Sequence, residues 1–280
     1  MGGPDADSEQ LTDPALDKRV EDLRSFFEDP NHWIYLSKGT PSNINPSSVY
    51  HITQLQVLFE DRYFHKLTYR AIQRLIDEDF LSSRREKSGS ITFVLVWRRN
   101  VRYVERPIKA HLDLATEYAE ETVSKAVGRY AETLVSFGLR ALGLQIHSRN
   151  TNKYNGKAWS KSQHDLDFIV EGPNAAYGVE VKNTFDYMPM NEFSIKLDMC
   201  NELGLIPLFI VRSRDSIQWR DTRERHGLIY MFKSKIFPPG YDDLVSRMWQ
   251  DMRLPVTIWD DWRPSFYDTL SSFLQRGNTS

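Results

Sequence analysis

Cysteine is almost absent from this chain: Cys200 is the only one among 280 residues. An intramolecular disulfide framework is therefore excluded. Cys200 sits in the run Leu197-Asp198-Met199-Cys200-Asn201, which reads as helix, and it is expected there as a small core residue rather than a nucleophile. Long apolar runs are missing as well. No stretch of about 18 apolar residues occurs, so no membrane span is expected. The first residues, Met1-Gly2-Gly3-Pro4-Asp5-Ala6-Asp7, lack a charged segment followed by an apolar one. They do not read as a signal peptide, and a cytoplasmic location is the expectation. Neither sign of charge dominates: 36 Lys and Arg stand against 38 Asp and Glu, a net charge of −2. That balance speaks against generic coating of nucleic acid but leaves room for local basic patches. No internal repeat is apparent. With 40% hydrophobic residues, the chain can form a core in one large domain or two smaller ones.

The most informative stretch present is His164-Asp165-Leu166-Asp167-Phe168-Ile169-Val170, followed by Glu171-Gly172-Pro173-Asn174 and then Tyr177-Gly178-Val179-Glu180-Val181-Lys182. It reads as a β-hairpin. Side chains two apart share a face of a strand. Leu166, Phe168 and Val170 then share one face, and Asp165 and Asp167 the other. On the second strand, Glu180 and Lys182 oppose Val179 and Val181. If the charged faces coincide, Asp167, Glu180 and Lys182 converge. Two carboxylates can hold a hard divalent cation, and a nearby lysine can orient a water or offset charge on a phosphate. A hairpin with a polar wet face is ordinary by itself, so its neighbours matter. Glu132 lies upstream in a helical pattern that ends near Gly143, and a helical run from about Met190 to Leu203 precedes the apolar strand Ile206 to Val211. The order is helix with a glutamate, strand, strand with Asp, strand with Glu-x-Lys, helix, strand.

Over roughly Ala126 to Arg212 this arrangement resembles the PD-(D/E)XK nuclease superfamily, and within it the restriction-endonuclease-like and archaeal Holliday-junction-resolvase-like branch. The matching residues are Glu132 on the first helix, Asp167 on the second strand, and Glu180 and Lys182 on the third. The acid is preceded by Leu166 rather than the family's proline, which leaves Asp165 as a competing choice. The resemblance implies a metal-dependent DNA endonuclease acting in repair and recombination or in defence. It implies Mg²⁺ or Mn²⁺ on Asp167, Glu180 and the Val181 carbonyl, with Glu132 on a second ion or a metal-bound water and Lys182 beside the attacking water. Its fold would be α/β, with a mixed central sheet flanked by helices.

Ahead of this core, residues 49–105 resemble a winged-helix DNA-binding module. One helix runs through Ile52 to Phe59, and a second from about Lys66 to Asp77. The second buries Leu67, Ala71, Ile72, Leu75 and Ile76 and presents Lys66, Tyr69, Arg70, Gln73 and Arg74 on its other face. Ser82 to Ser90 reads as a basic turn carrying Arg84, Arg85 and Lys87 into the strand Ile91 to Arg99. These residue types suit base and phosphate contacts. A further basic loop, Ser148 to Lys161, carries Arg149, Lys153, Lys157 and Lys161 with Tyr154 and Trp159, a mixture suited to phosphate neutralisation and base stacking. His147 and His164 flank it without partners at metal-ligand spacing.

The expected divisions are a polar segment and helix over 1–48, the module over 49–105, the catalytic core over 106–236 and an aromatic helical extension over 237–280. His111 to Gly143 reads as one long helix or two broken near Gly128. Arg223 to Lys233 is a possible strand, and two helices are expected in the tail around Pro255 to Pro264. A homodimer is the expected functional unit if both DNA strands are cut, since two-fold symmetry matches antiparallel strands. Phe266, Leu270 and Phe273 recur at helical spacing and are candidates for that interface or for the monomer core.

Overall fold

The structure, a computed structural model, describes residues 13–29, 49–88 and 91–276. Residues before 13 and residues 30–48, parts of the expected 1–48 division, lie outside them. The chain divides after Thr116 into two compact units.

The first unit contains α1 (Pro14–Glu28), β1 (Tyr50–His51), α2 (Ile52–Leu58), α3 (His65–Asp77), β2 (Leu81–Ser88), β3 (Ile91–Arg98) and most of α4 (Glu105–Ala119). Its antiparallel sheet has the order β1-β3-β2. Asp13 caps α1 by accepting a hydrogen bond from Leu16 N–H, with Pro14 in the first turn. Val20, Leu23, Phe26 and Phe27 then form one buried stripe, packed with Tyr50, Leu55, Phe59, Ile72 and Leu75. So α1 is part of this unit's core, not of a separate 1–48 segment. Of the stretch expected as a basic turn, residues 89–90 lie outside the described residues, and Ser82 to Ser88 belongs instead to strand β2, paired along its length with β3. Its polarity fits an edge strand, whose backbone is satisfied on one side by the ladder and on the other by water.

The stretch His111 to Gly143, expected as one long helix or as two broken near Gly128, holds two helices, and the break is not at Gly128. α4 ends at Ala119 and α5 (Glu121–Ala141) begins after Glu120, whose ψ of 141° is non-helical. Gly128 lies inside α5, where an added Cβ would meet open space.

The second unit continues with β4 (Gln145–Thr151), the small hairpin β5 (Lys153–Tyr154) and β6 (Lys157–Ala158), β7 (Leu166–Glu171), β8 (Ala176–Lys182), α6 (Met190–Leu203), β9 (Ile206–Val211), α7 (Ser216–Glu224), β10 (Leu228–Met231), β11 (Lys235–Phe237), α8 (Asp242–Met252), β12 (Val256–Ile258) and α9 (Pro264–Arg276). The central sheet is mixed, with the order β10-β9-β8-β7-β4. β4, β7 and β8 form an antiparallel meander. β9 lies parallel to β8, and β10 parallel to β9, each reached through a helix as a parallel connection requires. Both sheet faces are covered. Phe168, Val170, Val179, Leu208 and Ile210 pack with Leu134, Val135, Trp262 and Phe266 of α5 and the C-terminal segment. On the other face, Ile169 packs with Met199 and Cys200 of α6, and Phe209 with Phe193 and Leu197. Phe266 and Leu270 are fully buried there and close the monomer core, so they are not a dimer surface. Among the described residues no helix is long and apolar enough to cross a membrane.

Two histidines of the first unit, His51 and His111, are largely enclosed. Burial pushes His51 down to about 4 and His111 down to about 3, the latter helped by His51. The unfolded chain takes up these protons near pH 6.5, the folded one only well below. Their contribution is therefore complete above pH 6.5 and lost as pH falls toward 4. His51 alone accounts for about 3 kcal/mol across that window. Urea unfolding of the full chain at pH 7 and pH 5 is expected to show about 2 kcal/mol of loss per histidine, and the double variant His51→Phe, His111→Phe to flatten it.

Candidate active site

The site begins at one sheet edge. β7 starts there and β8 ends there. The pairing Phe168 to Val179, continued by one residue, places Asp167 opposite Glu180. Directly opposed side chains share a face and lie close together. Asp167 Oδ2 accepts a hydrogen bond from Val181 N–H at 2.7 Å, which fixes its carboxylate against β8. Lys182 follows two residues after Glu180 and shares its face. That face is turned toward α6, not toward water. Glu180 is only 5% exposed.

α6 supplies two partners that the hairpin motif does not contain. Lys196 Nζ donates to Glu180 Oε2 at 2.6 Å and also to the backbone carbonyl of Asp165. Lys182 Nζ donates to Glu192 Oε1 at 2.8 Å. Lys196 is as buried as Glu180, with side-chain exposures of 7% and 6%. The registry behind this contact is visible in the chain. Gly178 and Glu180 are two apart on β8, a rise of about 6.6 Å. Cys200 and Lys196 are four apart on α6, a rise of about 6 Å. Cys200 packs on Gly178, where a Cβ would come within 2.5 Å of its Sγ. The missing side chain at 178 therefore lets α6 approach closely enough for Lys196 to reach Glu180. Lys196 had a sequence signal of its own: it interrupts the stripe Phe193, Leu197, Cys200 on the buried side of α6. A cation in such a stripe requires a buried partner.

Burial raises the Glu180 carboxyl above its ordinary range, and the charge of Asp167 pushes the same way. Burial likewise raises Asp167, partly offset by the Val181 N–H and by Lys196. Glu132 stands on α5, half-buried, raised first by burial and then by Asp167, with Arg149 and Arg129 opposing. That electrostatic link places Glu132 in the neighbourhood of the pair. Among the described residues, however, no three His, Cys, Asp or Glu side chains are grouped closely enough to hold one metal ion. What is assembled is the Asp167–Glu180 pair. Asp167 Oδ1 and Glu180 Oε1 carry no hydrogen bond among the described residues. The pair fits a hard divalent cation by its oxygen chemistry and by its mutual repulsion. The seated Lys196 ammonium shows that positive charge is already accommodated there. Asp165, the competing acid, precedes β7 and is exposed, and it enters the site through its backbone carbonyl.

The expected nucleic-acid contacts are distributed differently. On α3, Arg70 pairs with Asp13, and Arg74 pairs with Asp17 and Glu78. Lys66 and Tyr69 are exposed, and Gln73 is half-buried. On the β2 ribbon, Arg84 is engaged by Glu86 and Glu105, while Arg85 and Lys87 are exposed. Most of the stretch Ser148 to Lys161 is the end of β4 and the β5–β6 hairpin rather than a loop; only Trp159 to Lys161 follow outside a strand. Trp159 is buried and donates to Ser162, so it is not presented for base stacking, while Tyr154 is half-buried and donates to Glu171. Lys161 pairs with Glu202. Arg149, Lys153 and Lys157 remain exposed. His147 contacts Glu171 and His164 contacts Ser162.

No family model, curated protein or solved structure matches this chain.

Removing one member of a buried ion pair leaves the other charged and unpartnered, at a cost of about 3–5 kcal/mol. Lys196→Met is expected to lower the unfolding free energy by about that amount. Lys125→Met, which breaks the exposed pair with Glu121, is expected to change it by less than about 1 kcal/mol. The double variant Glu180→Leu, Lys196→Met is expected to recover most of the loss. Denaturant titration of these three variants beside wild type measures the differences. A further variant, Gly178→Ala, is expected to cost about 1–3 kcal/mol by overpacking against Cys200.

Proposed function

We propose that the chain is a metal-dependent DNA endonuclease of the PD-(D/E)XK kind, with the first unit serving as a winged-helix module. The observation that carries this reading is the placement of Asp167 opposite Glu180, with Lys182 on the same face at the same sheet edge. The element order from α5 to β9 supports it, since it follows helix, three antiparallel strands, helix and a parallel strand. Asp167 and Glu180 would hold Mg²⁺ or Mn²⁺ with the Val181 carbonyl, and Glu132 would stand behind them. A bound divalent ion supplies charge neutralisation and water activation for phosphodiester hydrolysis. Val181 N–H keeps Asp167 turned toward β8. Lys182, held in place by Glu192, orients the attacking water and offsets charge developing on the phosphate. Repair or recombination and defence against foreign DNA are both compatible with this chemistry.

A second reading has an observation in its favour. Glu180 is already neutralised by Lys196, and Lys182 by Glu192. A chain that keeps the fold but binds or scaffolds DNA without cutting would be arranged in this way. Plasmid incubated with Mg²⁺ or Mn²⁺ separates the two. The endonuclease reading predicts cleavage that EDTA abolishes, loss of cleavage to background in Asp167→Ala and Glu180→Ala, and a fall of about 10²-fold or more in Lys182→Ala. DNA affinity is expected to survive the acid substitutions, because phosphate contacts lie elsewhere. Absence of cleavage on duplex, single-stranded, flap and four-way-junction DNA, with binding intact, would establish the second reading instead.

A further inference from the structure

The cations that the chain leaves unneutralised are unevenly placed. β9 ends at Val211, and the next residue, Arg212, donates its backbone N–H to the carbonyl of Lys182 at 2.9 Å. Arg214 therefore lies just beyond the sheet edge that carries Asp167, Glu180 and Lys182. Its guanidinium carbon lies 5.4 Å from the ring centroid of Trp219 on α7, and that of Arg223 lies 4.7 Å from the same centroid. Trp219 is 40% exposed. Among the described residues no carboxylate lies within ion-pair distance of Arg214 or Arg223; Arg214 donates to the carbonyl of Asp215, whose carboxylate attracts it at longer range. The other arginines of this helix contrast with them. Arg220 is paired with Asp221 and Glu224, and Arg225 with Asp198. An indole ring that holds two guanidinium groups restricts their rotamers, so less entropy is lost when they bind an anion.

The sheet order adds the second half of the argument. The acids lie on the adjacent strands β7 and β8. β9, with Arg214 just past its end, flanks β8. On the other side β4 flanks β7, pairing Thr151 with Leu166 at the same edge. β4 carries the exposed Arg149, followed by the exposed Lys153. From β4 to β9 the strands span about 14 Å, roughly four nucleotide steps at 3.4 Å each.

We propose that Arg214, Trp219 and Arg223 form a preorganised clamp for the phosphodiester backbone of DNA, on the β9 side of the acids, with Arg149 and Lys153 as its counterpart on the β4 side. This deepens the endonuclease reading and rests on it. It assigns substrate contact to a helix that carries no recognisable DNA-binding motif.

The test uses the full-length Asp167→Ala protein as parent, so that cleavage does not interfere, and fluorescence anisotropy with labelled duplex and single-stranded DNA between 50 and 300 mM NaCl. Replacing Arg214 and Arg223 by Gln is expected to lower the slope of log affinity against log salt by about 1.8 on duplex, or about 1.4 on single strands. At 0.15 M salt the duplex affinity should fall about 30-fold. Trp219→Ala should weaken binding while leaving both charges present, and Trp219→Phe should restore part of it. The control Arg220→Gln, Arg225→Gln removes the same charge from the same helix and should leave the slope unchanged. An unchanged slope in the Arg214, Arg223 variant, or an equal fall in the control, would overturn the clamp while leaving the endonuclease reading intact. A parent that binds no DNA would overturn both.

Discussion

The buried ion pair between Lys196 and Glu180 is the contact on which the second unit is arranged. Two opposite charges enclosed between a sheet and a helix cost several kcal/mol each to desolvate, and their attraction repays this only in good geometry. That geometry depends on Gly178. Without its hydrogen side chain, Cys200 could not lie against β8, and Lys196 would stand too far away to reach Glu180. The same ammonium donates to the carbonyl of Asp165, so it ties the start of β7 to β8 from the helix side. A one-residue slip of either strand would bury an unpartnered charge. The pair thus serves register as much as stability.

The proposed chemistry grows out of that constraint. Asp167 and Glu180 are held together although burial and mutual repulsion raise both carboxyls. Such a pair is poised for a cation, and the resting protein supplies one from its own helix. A divalent ion would have to share or take over what Lys196 holds. The site's internal neutralisation therefore gives the non-cutting alternative its physical content and makes direct cleavage measurements decisive.

Charge placement separates the two units. In the first, the arginines of α3 lie against the acids of α1 and its own C-terminus: Arg70 with Asp13, Arg74 with Asp17 and Glu78. These are exposed pairs of small energy, so DNA phosphates could replace the carboxylates at little cost, but the face is not a free cationic surface. In the second unit, Arg149, Lys153, Arg214 and Arg223 form no ion pair among the described residues; Arg149 acts at longer range on Glu132 and Arg214 on Asp215, and Arg149, Lys153 and Arg214 stand near the sheet edge that carries the acids. Net charge near zero conceals this difference, because it averages over positions that only the fold separates.

Much of the local structure was legible in the chain. Alternation in Phe168 to Val170 and Tyr177 to Lys182 made the hairpin legible, but Leu166, expected on the face of Phe168 and Val170, packs instead with Ile169, Met199 and Cys200. The α3 stripe Ala71, Ile72, Leu75 was legible from its helical period, and the strand Ile206 to Val211 from an unbroken apolar run. Asp167, Glu180 and Lys182 were therefore nominated as one group before any fold was known. The polar strand β2 was not legible, since its order comes from backbone pairing with β3 rather than from side-chain pattern. The break at Glu120 was also hidden: nothing in that residue type opposes helix, whereas Gly128, the expected breaker, is accommodated inside α5. Trp159, Phe266 and Leu270 offered residue types suited to ligands or partners, and only packing assigned them to the core. The sequence by itself determined which residues share a face of one strand or helix, because that follows from local periodicity. Only the tertiary structure decided what each face meets. That is why the charged face of the hairpin turned out to be buried against Lys196 and Glu192, residues 16 and 10 positions along the chain from their partners.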